Sequence, residues 1–275
     1  MNAILVARDR WVGGQPAEPA DTAALLPMLV AQALAQARSF WRMPAVSLTG
    51  LLMPVMLFVF FILPHAREPW SGSISVGAYM LASIGAYAVA SVMVFNFGVT
   101  VALERGQKTD LLMRVAPLPG WVFLLARVLC ALAFGIAALG LLFGIAWLAG
   151  GIELAPATWA GLGIALMVGA IPFIALGFAL AYLAGPNAAP AVVNLVFIGM
   201  VFASGMLVRL DQMPEFLRAI APYLPTYHYA QLAWSVIGAG NEPSLVSFGW
   251  LLAYAVGLFG VATLAYRRDA LRRFA

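Results

Sequence analysis

The sequence predicts an all-α integral membrane protein, with six transmembrane helices, an N-terminal interfacial amphipathic helix and a re-entrant helical pair before the last span. The first observation is composition: 64% of the 275 residues are hydrophobic and 9% are charged, whereas soluble domains are about 25% charged. The second is a set of uncharged stretches, most of which reach the ~20 residues that a helix needs to cross a bilayer. The third is a one-sided distribution of basic residues between those stretches.

Backbone polar groups inside a bilayer must be hydrogen-bonded within the chain, and stretches of this length satisfy that requirement as helices. In chain order the predicted spans are 44–64, 76–103, 121–149, 158–184, 190–208 and 244–266. They make residues 44–275 one membrane domain and leave no room in it for a soluble catalytic domain.

The basic residues predict the orientation, because positive charges beside spans stay in the cytoplasm. Alternating the six spans puts both chain ends, the 104–120 loop and the 185–189 turn on one face. The other face keeps only Arg67, Arg209 and Arg218. The cytoplasmic face holds 12 of the 15 basic residues: Arg8, Arg10, Arg38, Arg42, Arg105, Lys108, Arg114, Arg127, Arg267, Arg268, Arg272 and Arg273. Topology and contact with anionic membrane lipids thus explain the net charge of +4 without a nucleic-acid partner.

The N-terminal region is predicted to lie outside the spans. Residues 1–22 contain several Gly and Pro and few anchoring apolar residues, which predicts a mobile cytoplasmic arm. Residues 23–43 form an amphipathic pattern that is short for a span and ends in Arg38, Trp41 and Arg42. Such a helix lies in the head-group layer. The alternative, a seventh span, would reverse the alternation and remove the charge asymmetry.

The loop at residues 104–119 mixes charges with apolar residues. Leu111, Leu112 and Val115 share one face at helical spacing, and Pro117 ends any helix there. Composition leaves two interpretations open, a solvated basic connector and a short cytoplasmic helix that docks into another protein.

The segment 209–243 is too long and too apolar for a simple external loop. It contains an apolar stripe at 213–220, a proline- and tyrosine-rich part at 222–229 and a second apolar run at 230–239. Two short helices joined at prolines can enter the outer leaflet and return when they are buried against other helices. The alternative is an amphipathic helix that rests on the outer surface.

Charged side chains are absent from the middle of every span, where each would cost about 2.5–3.5 kcal/mol. A transporter that works through buried carboxylates is therefore disfavoured. Polar residues inside spans, such as Asn96, more often join helices than bind a substrate. The run Gly106–Thr109 is not a phosphate-binding loop, because its lysine does not directly follow the glycine. No ATP site or other cofactor site is therefore predicted on this chain.

A membrane-embedded enzyme is the alternative function. Ser204, with His228 downstream, loosely resembles the nucleophile and base of an intramembrane serine protease. However, Phe202 occupies the position of the glycine expected two residues before that serine. The other histidine, His65, ends the first span, so the histidines form no metal cluster. A third possibility is a scaffold that only organises other subunits, but a scaffold does not require a long re-entrant segment.

The chain resembles the membrane permeases of type-2 ABC exporters (ABC-2 transporters), a family that exports drugs, glycolipids and polysaccharides. The resemblance begins near residue 24 and rests on three features. They are the Arg38–Arg42 run before a proline-containing span, the 104–119 loop that starts Glu-Arg and ends Pro-Leu-Pro, and the segment from 213 to 228. In the loop, Asp110 directly follows Thr109, where the family usually has an apolar residue.

The resemblance implies that two permeases, identical or sister, form a path lined mainly by the first, second and fifth spans. Two separate ATP-binding cassette subunits, which carry ATP and Mg, dock on the cytoplasmic side of a prokaryotic inner membrane. The implied ATPase-coupling residues are Glu104, Arg105, Lys108, Thr109, Leu112 and Arg114, and those of the interfacial helix are Arg38, Trp41 and Arg42. Asn96, Phe202, Ser204, Met206, Tyr227 and His228 are the candidates for the pathway and outer gate.

Overall fold

Helices and one small hairpin make up the computed structural model, which describes residues 22–41, 52–72, 74–107 and 120–272. The hairpin pairs Pro69 with Ser75 and Ser71 with Ile74 in antiparallel register. The elements in chain order are α1 (Thr22–Trp41), α2 (Leu52–His65), β1 (Pro69–Ser71), β2 (Ile74–Ser75), α3 (Val76–Gly106), α4 (Gly120–Leu148), α5 (Pro156–Leu183), α6 (Ala189–Ala203), α7 (Glu215–Ile220), α8 (Pro225–Val236) and α9 (Ser244–Arg272). The predicted arm, residues 1–22, lies outside the described residues except for Thr22.

Four helices, α3, α4, α5 and α9, are long and apolar enough to cross a membrane. They coincide with the predicted second, third, fourth and sixth spans to within a few residues, which supports an all-α, multi-pass membrane protein. In the described part of the chain, the first and fifth predicted spans correspond to α2 and α6, which are shorter apolar helices. The count of six spans therefore stays a prediction.

The predicted fifth span, 190–208, extends too far. Helix α6 ends at Ala203, and the chain reverses at Gly205, whose φ is +80°. Leu210 packs onto this turn so closely that a Cβ at Gly205 would lie 2.5 Å from its Cγ. Left-handed backbone of this kind ends a helix and favours glycine.

Helix α3 lies at the centre of the bundle and is buried along almost its whole length. Ser75 caps its first turn by accepting a hydrogen bond from the Ala78 N–H at 3.2 Å. The helix contains a π-helical turn at Asn96–Thr100 and packs against α2, α4, α5, α6 and α8. Its displacement therefore requires that its neighbours move with it.

Small residues allow α3 and α5 to approach closely. A Cβ on Gly177 of α5 would lie 2.8 Å from the Val94 carbonyl oxygen of α3. Gly140 and Gly144 form the GxxxG pattern of α4, but a Cβ at either of them would meet no atom of the described residues within 4 Å. The close helix packing thus occurs at a glycine outside the sequence motif.

Helix α5 is interrupted once and α9 faces outward. Ala170 breaks the helical run between Gly169 and Ile171, one turn before Phe173. On α9, apolar side chains such as Leu245 and Val256 are exposed. Exposed leucine and valine on a long apolar helix suit contact with lipid.

The predicted re-entrant segment contains α7, a 3-10 turn at Ala221–Tyr223 and α8. Ten of the twelve residues of α8, from Pro225 to Trp234, are buried. They pack against α3, α5 and α9. Helix α8 is therefore buried among other helices, and its re-entrant position in the outer leaflet stays a prediction.

Candidate functional site

The last turn of α3 carries Arg105, whose side chain is 5% exposed. Its Nη1 donates to the Ala181 carbonyl oxygen of α5, and its Nη2 donates to Asp269 Oδ1 of α9 at 2.5 Å. The guanidinium carbon also lies 4.6 Å from the centre of the Tyr182 ring. Charge-assisted bonds are about twice as strong as neutral ones. Arg105 thus joins three helices at one end of the bundle.

Arg127, near the start of α4, makes a second buried junction. Its side chain is 1% exposed. Its Nη2 donates to Glu104 Oε1 of α3 and to Gln36 Oε1 of α1, the latter at 3.3 Å. The guanidinium also lies 5.2 Å from the centre of the Phe123 ring. Arg127 therefore joins α4 to both α3 and α1.

These five residues, Gln36, Glu104, Arg105, Arg127 and Asp269, are called the terminal cluster below. Together they join α1, α3, α4, α5 and α9 directly before the chain enters residues 108–119. Removing one partner of a buried ion pair costs about 3–5 kcal/mol, because the other charge is left unpaired. The cluster can therefore hold these helix ends together as one unit.

Two of the predicted coupling residues belong to the terminal cluster. Glu104 and Arg105 bond to other helices of the same chain. Lys108, Thr109, Leu112 and Arg114 lie outside the described residues. The assignment of the six residues to an ATPase contact stays a prediction.

Helix α1 packs along α4. Ala37 lies against the buried pair Cys130 and Phe134, while Arg38 is exposed. Of the other predicted interfacial residues, the side chain of Trp41 and all of Arg42 lie outside the described part. The predicted role of these three residues at the head-group layer is untested.

The predicted pathway and gate residues fall into two places. Asn96 is buried in the π-helical turn of α3, about two turns from Glu104. The others lie at the far end of the bundle, where Thr226 of α8 donates to the Met200 carbonyl of α6 at 2.9 Å. Among these others, Phe202 is 49% exposed, while Ser204, Met206, Tyr227 and His228 are buried. Their role as a gate stays a prediction.

The contacts of Ser204 and His228 do not form a nucleophile–base pair. Ser204 donates to the Val201 carbonyl at 2.9 Å. His228 places Nε2 2.9 Å from the Pro222 carbonyl oxygen and Nδ1 3.3 Å from Glu242 Oε2. A serine nucleophile needs its base within hydrogen-bond reach, so this geometry does not support a protease. The described residues also contain no group of three or more His, Cys, Asp or Glu that could hold a metal.

Sequence reasoning missed the three cluster members Gln36, Arg127 and Asp269 as functional candidates. One signal was available, since Arg127 lies inside an apolar span and a charge there requires a partner. The identity of that partner was not readable, because the contacts join residues separated by 91 positions (Arg127 with Gln36) and 164 positions (Arg105 with Asp269).

Comparison with known proteins agrees with this architecture. The family model described as "ABC-2 family transporter protein" matches residues 70–264, more than two thirds of the chain. The chain is 25% identical over 247 residues to "Putative transport permease YvfS" of Bacillus subtilis (strain 168), covering 88% of this chain and 97% of the relative.

A second relative matches a shorter part of the chain. Over 84 residues this chain is 31% identical to "Probable multidrug ABC transporter permease YbhS" of Escherichia coli (strain K12). That match covers 30% of this chain and 22% of the relative.

Proposed function

Because this chain belongs to the ABC-2 family of transporter proteins, we propose that it is the permease subunit of an ATP-driven ABC exporter. Family membership confirms the resemblance identified from the sequence and supports a non-enzymatic transport component. In the proposal, it forms the path for an amphipathic or lipid-like substrate with a second permease, identical or sister. Two separate ATPase subunits supply the energy and carry the ATP and Mg.

The terminal cluster is the observation that carries the coupling part of this proposal. An ABC permease without its own motor must receive force from outside its spans. The cluster includes Glu104 and Arg105, the first residues of the predicted coupling loop at 104–119. A push on that loop would reach Glu104 and Arg105 first.

The hydrogen bonds and ion pairs of the terminal cluster would then transmit this force from α3 to four other helices. Arg105 passes it to α5 and α9 through Ala181 and Asp269. Glu104 passes it to α4 and α1 through Arg127. Because packed helices move as blocks rather than deform continuously, the helices would move as one body.

The test is a complex of this chain with its ATPase, reconstituted in vesicles and supplied with Hoechst 33342 or an NBD-labelled phospholipid as amphipathic probes. The Glu104→Gln variant keeps the side-chain shape but removes the charge that pairs with Arg127. We expect ATP hydrolysis to continue while probe movement falls several-fold. Glu215→Gln, which alters an exposed carboxylate in α7, is the matched control and should leave both activities unchanged.

Equal ratios of probe movement to ATP hydrolysis in the wild type and Glu104→Gln would refute this coupling role. Purification from the native membrane tests the wider proposal. A co-purifying ATPase supports the exporter, whereas bond hydrolysis by this chain alone would support the membrane-enzyme alternative.

We also propose that the protein lies in a prokaryotic cytoplasmic membrane with both termini inside. The support is that charged residues predicted to be cytoplasmic, Glu104, Arg105, Arg127 and Asp269, meet at one end of the bundle. Arg209 and Asp211 lie beside the hairpin at the other end.

A further inference from the structure

A cavity of about 570 Å³ opens at the end of the bundle opposite the terminal cluster. We call it the hairpin cavity, because the hairpin β1–β2 forms one wall. Residues of α3 and α8 and the turns at 205–211 and 238–241 form the others. Its volume lies within the range of about 300–1,000 Å³ that is typical of small-molecule sites. The pathway candidates of the sequence are not among the residues that line it.

Aromatic rings from three elements form one side of the hairpin cavity. Trp70 of β1 stacks on Tyr79 of α3 with ring centres 4.2 Å apart, and Tyr79 stacks on Trp234 of α8 at 4.9 Å. Trp234 donates from Nε1 to Ser83 Oγ at 2.9 Å, which fixes its ring. Trp70 and Tyr79 remain half-buried, so part of this aromatic wall is accessible.

An ion pair lies at the mouth of the cavity. Arg209 donates from Nε and Nη2 to the two carboxylate oxygens of Asp211, at 3.0 and 2.8 Å. The Arg209 guanidinium also covers Trp70, with its carbon 4.7 Å from the ring centre. The two charges neutralise each other, and Arg209 already occupies a cation position on Trp70. A charged ligand is therefore disfavoured.

Several other groups that line the cavity are held in place by hydrogen bonds within the chain. The Gln231 side-chain oxygen accepts from the Asn241 backbone N–H at 2.9 Å. The Ala239 N–H donates to the Trp234 carbonyl at 2.8 Å, and the left-handed turn at Gly205 fixes the opposite side. A site whose walls are already ordered loses less conformational entropy on binding.

We propose that the hairpin cavity binds a glycosyl ring. A sugar is uncharged, carries C–H groups on one face that pack on aromatic rings, and carries hydroxyl groups that both donate and accept. Asp211 accepts from such hydroxyls, Arg209 donates to them, and the side-chain amide of Asn241 does both. This proposal rests on the proposed function only for the side of the membrane on which the cavity opens. Sugar binding itself requires neither the ATPase nor ATP.

The experiment uses the full chain in lipid nanodiscs, without ATPase, and measures saturation-transfer NMR of free maltose, lactose and chitobiose. We expect saturation to be transferred from the protein to the ring C–H protons of at least one disaccharide. A second arm adds monogalactosyl diacylglycerol to the nanodiscs. Competition by this lipid identifies a glycolipid head group as the source of the sugar, and its absence identifies a soluble sugar. Tetramethylammonium and benzoate serve as a cationic and an anionic probe, and neither is expected to bind in the hairpin cavity.

Two variants test the assignment to this cavity. Asp211→Ala and Asn241→Ala each remove hydrogen-bonding groups at exposed positions and should weaken disaccharide binding about tenfold. Trp147→Phe alters an exposed tryptophan of α4 outside the cavity and should bind like the wild type. Three outcomes would each overturn the proposal: no disaccharide binds, binding is equal in all variants, or a charged probe takes the site instead. Any of these outcomes would overturn the sugar site without contradicting the proposed role of the chain in ATP-coupled transport.

Discussion

Replacing Asp269 by Ala removes the carboxylate that neutralises Arg105. The Arg105 side chain is 5% exposed, so its charge would remain buried, and among the described residues it would keep the Ala181 carbonyl and the Tyr182 ring as polar and aromatic partners. Breaking a fully buried pair costs about 3–5 kcal/mol. Because the Asp269 side chain is 22% exposed, water replaces part of its contribution, and we expect a loss of about 2–3 kcal/mol.

The assay is thermal unfolding of the purified permease in nanodiscs. A loss of this size should lower Tm by about 5–10 °C in a chain of this length. Asp211→Ala is the matched control, because it makes the same chemical change in an Arg–Asp pair whose side chains are 48% and 59% exposed. Pairs this exposed contribute at most about 1 kcal/mol, so this Tm should change by less than about 4 °C.

A double variant separates an unpaired charge from lost packing. Arg105→Met together with Asp269→Ala removes both charges, and apolar replacements of buried pairs are often nearly neutral. The double variant should therefore unfold at a higher temperature than Asp269→Ala alone. Equal Tm values for Asp269→Ala and Asp211→Ala, or a double variant less stable than Asp269→Ala, would refute the reasoning.

Three further predictions concern packing and topology. Gly177→Ala should lower stability by about 1–3 kcal/mol through overpacking against α3, whereas Gly140→Ala, where a Cβ meets nothing within 4 Å, should not; Tm values of the two variants decide this. Trp234→Phe removes the buried bond to Ser83 and should cost about 1–3 kcal/mol, measured as a Tm shift; an unchanged Tm would contradict that bond. Epitope tags at both termini should react with antibody only after the cells are permeabilised, and labelling of intact cells would reverse the proposed orientation.

The long spans were predictable because their signal is local. Each of α3, α4, α5 and α9 contains an apolar stretch long enough to cross a bilayer. The end of α6 was not predictable in the same way. The apolar run resumes after Ala203 at residues 206–208, yet the helix stops because Gly205 adopts positive φ where Leu210 packs onto it.

The terminal cluster could be predicted only in part. The resemblance to the ABC-2 family pointed to Glu104 and Arg105 as the first residues of the loop at 104–119, and it assigned them an ATPase contact that stays a prediction. Their bonds to Arg127 and Asp269 depend on the three-dimensional arrangement of three helices, α3, α4 and α9, which no spacing rule encodes. The glycines show the same limit, because the GxxxG spacing occurs at Gly140 and Gly144 while the close approach to α3 occurs at Gly177.

Helix α3 links the two chemically different ends of the molecule. Tyr79 in its first turn belongs to the wall of the hairpin cavity, and Arg105 in its last turn belongs to the terminal cluster; the two lie about 39 Å apart along the helix. Since α3 is buried among its neighbours and Arg105 is bonded to α5 and α9, α3 cannot tilt alone. Force applied at the terminal cluster must therefore move these helices together, and the walls of the hairpin cavity that α3 and α8 share would move with them.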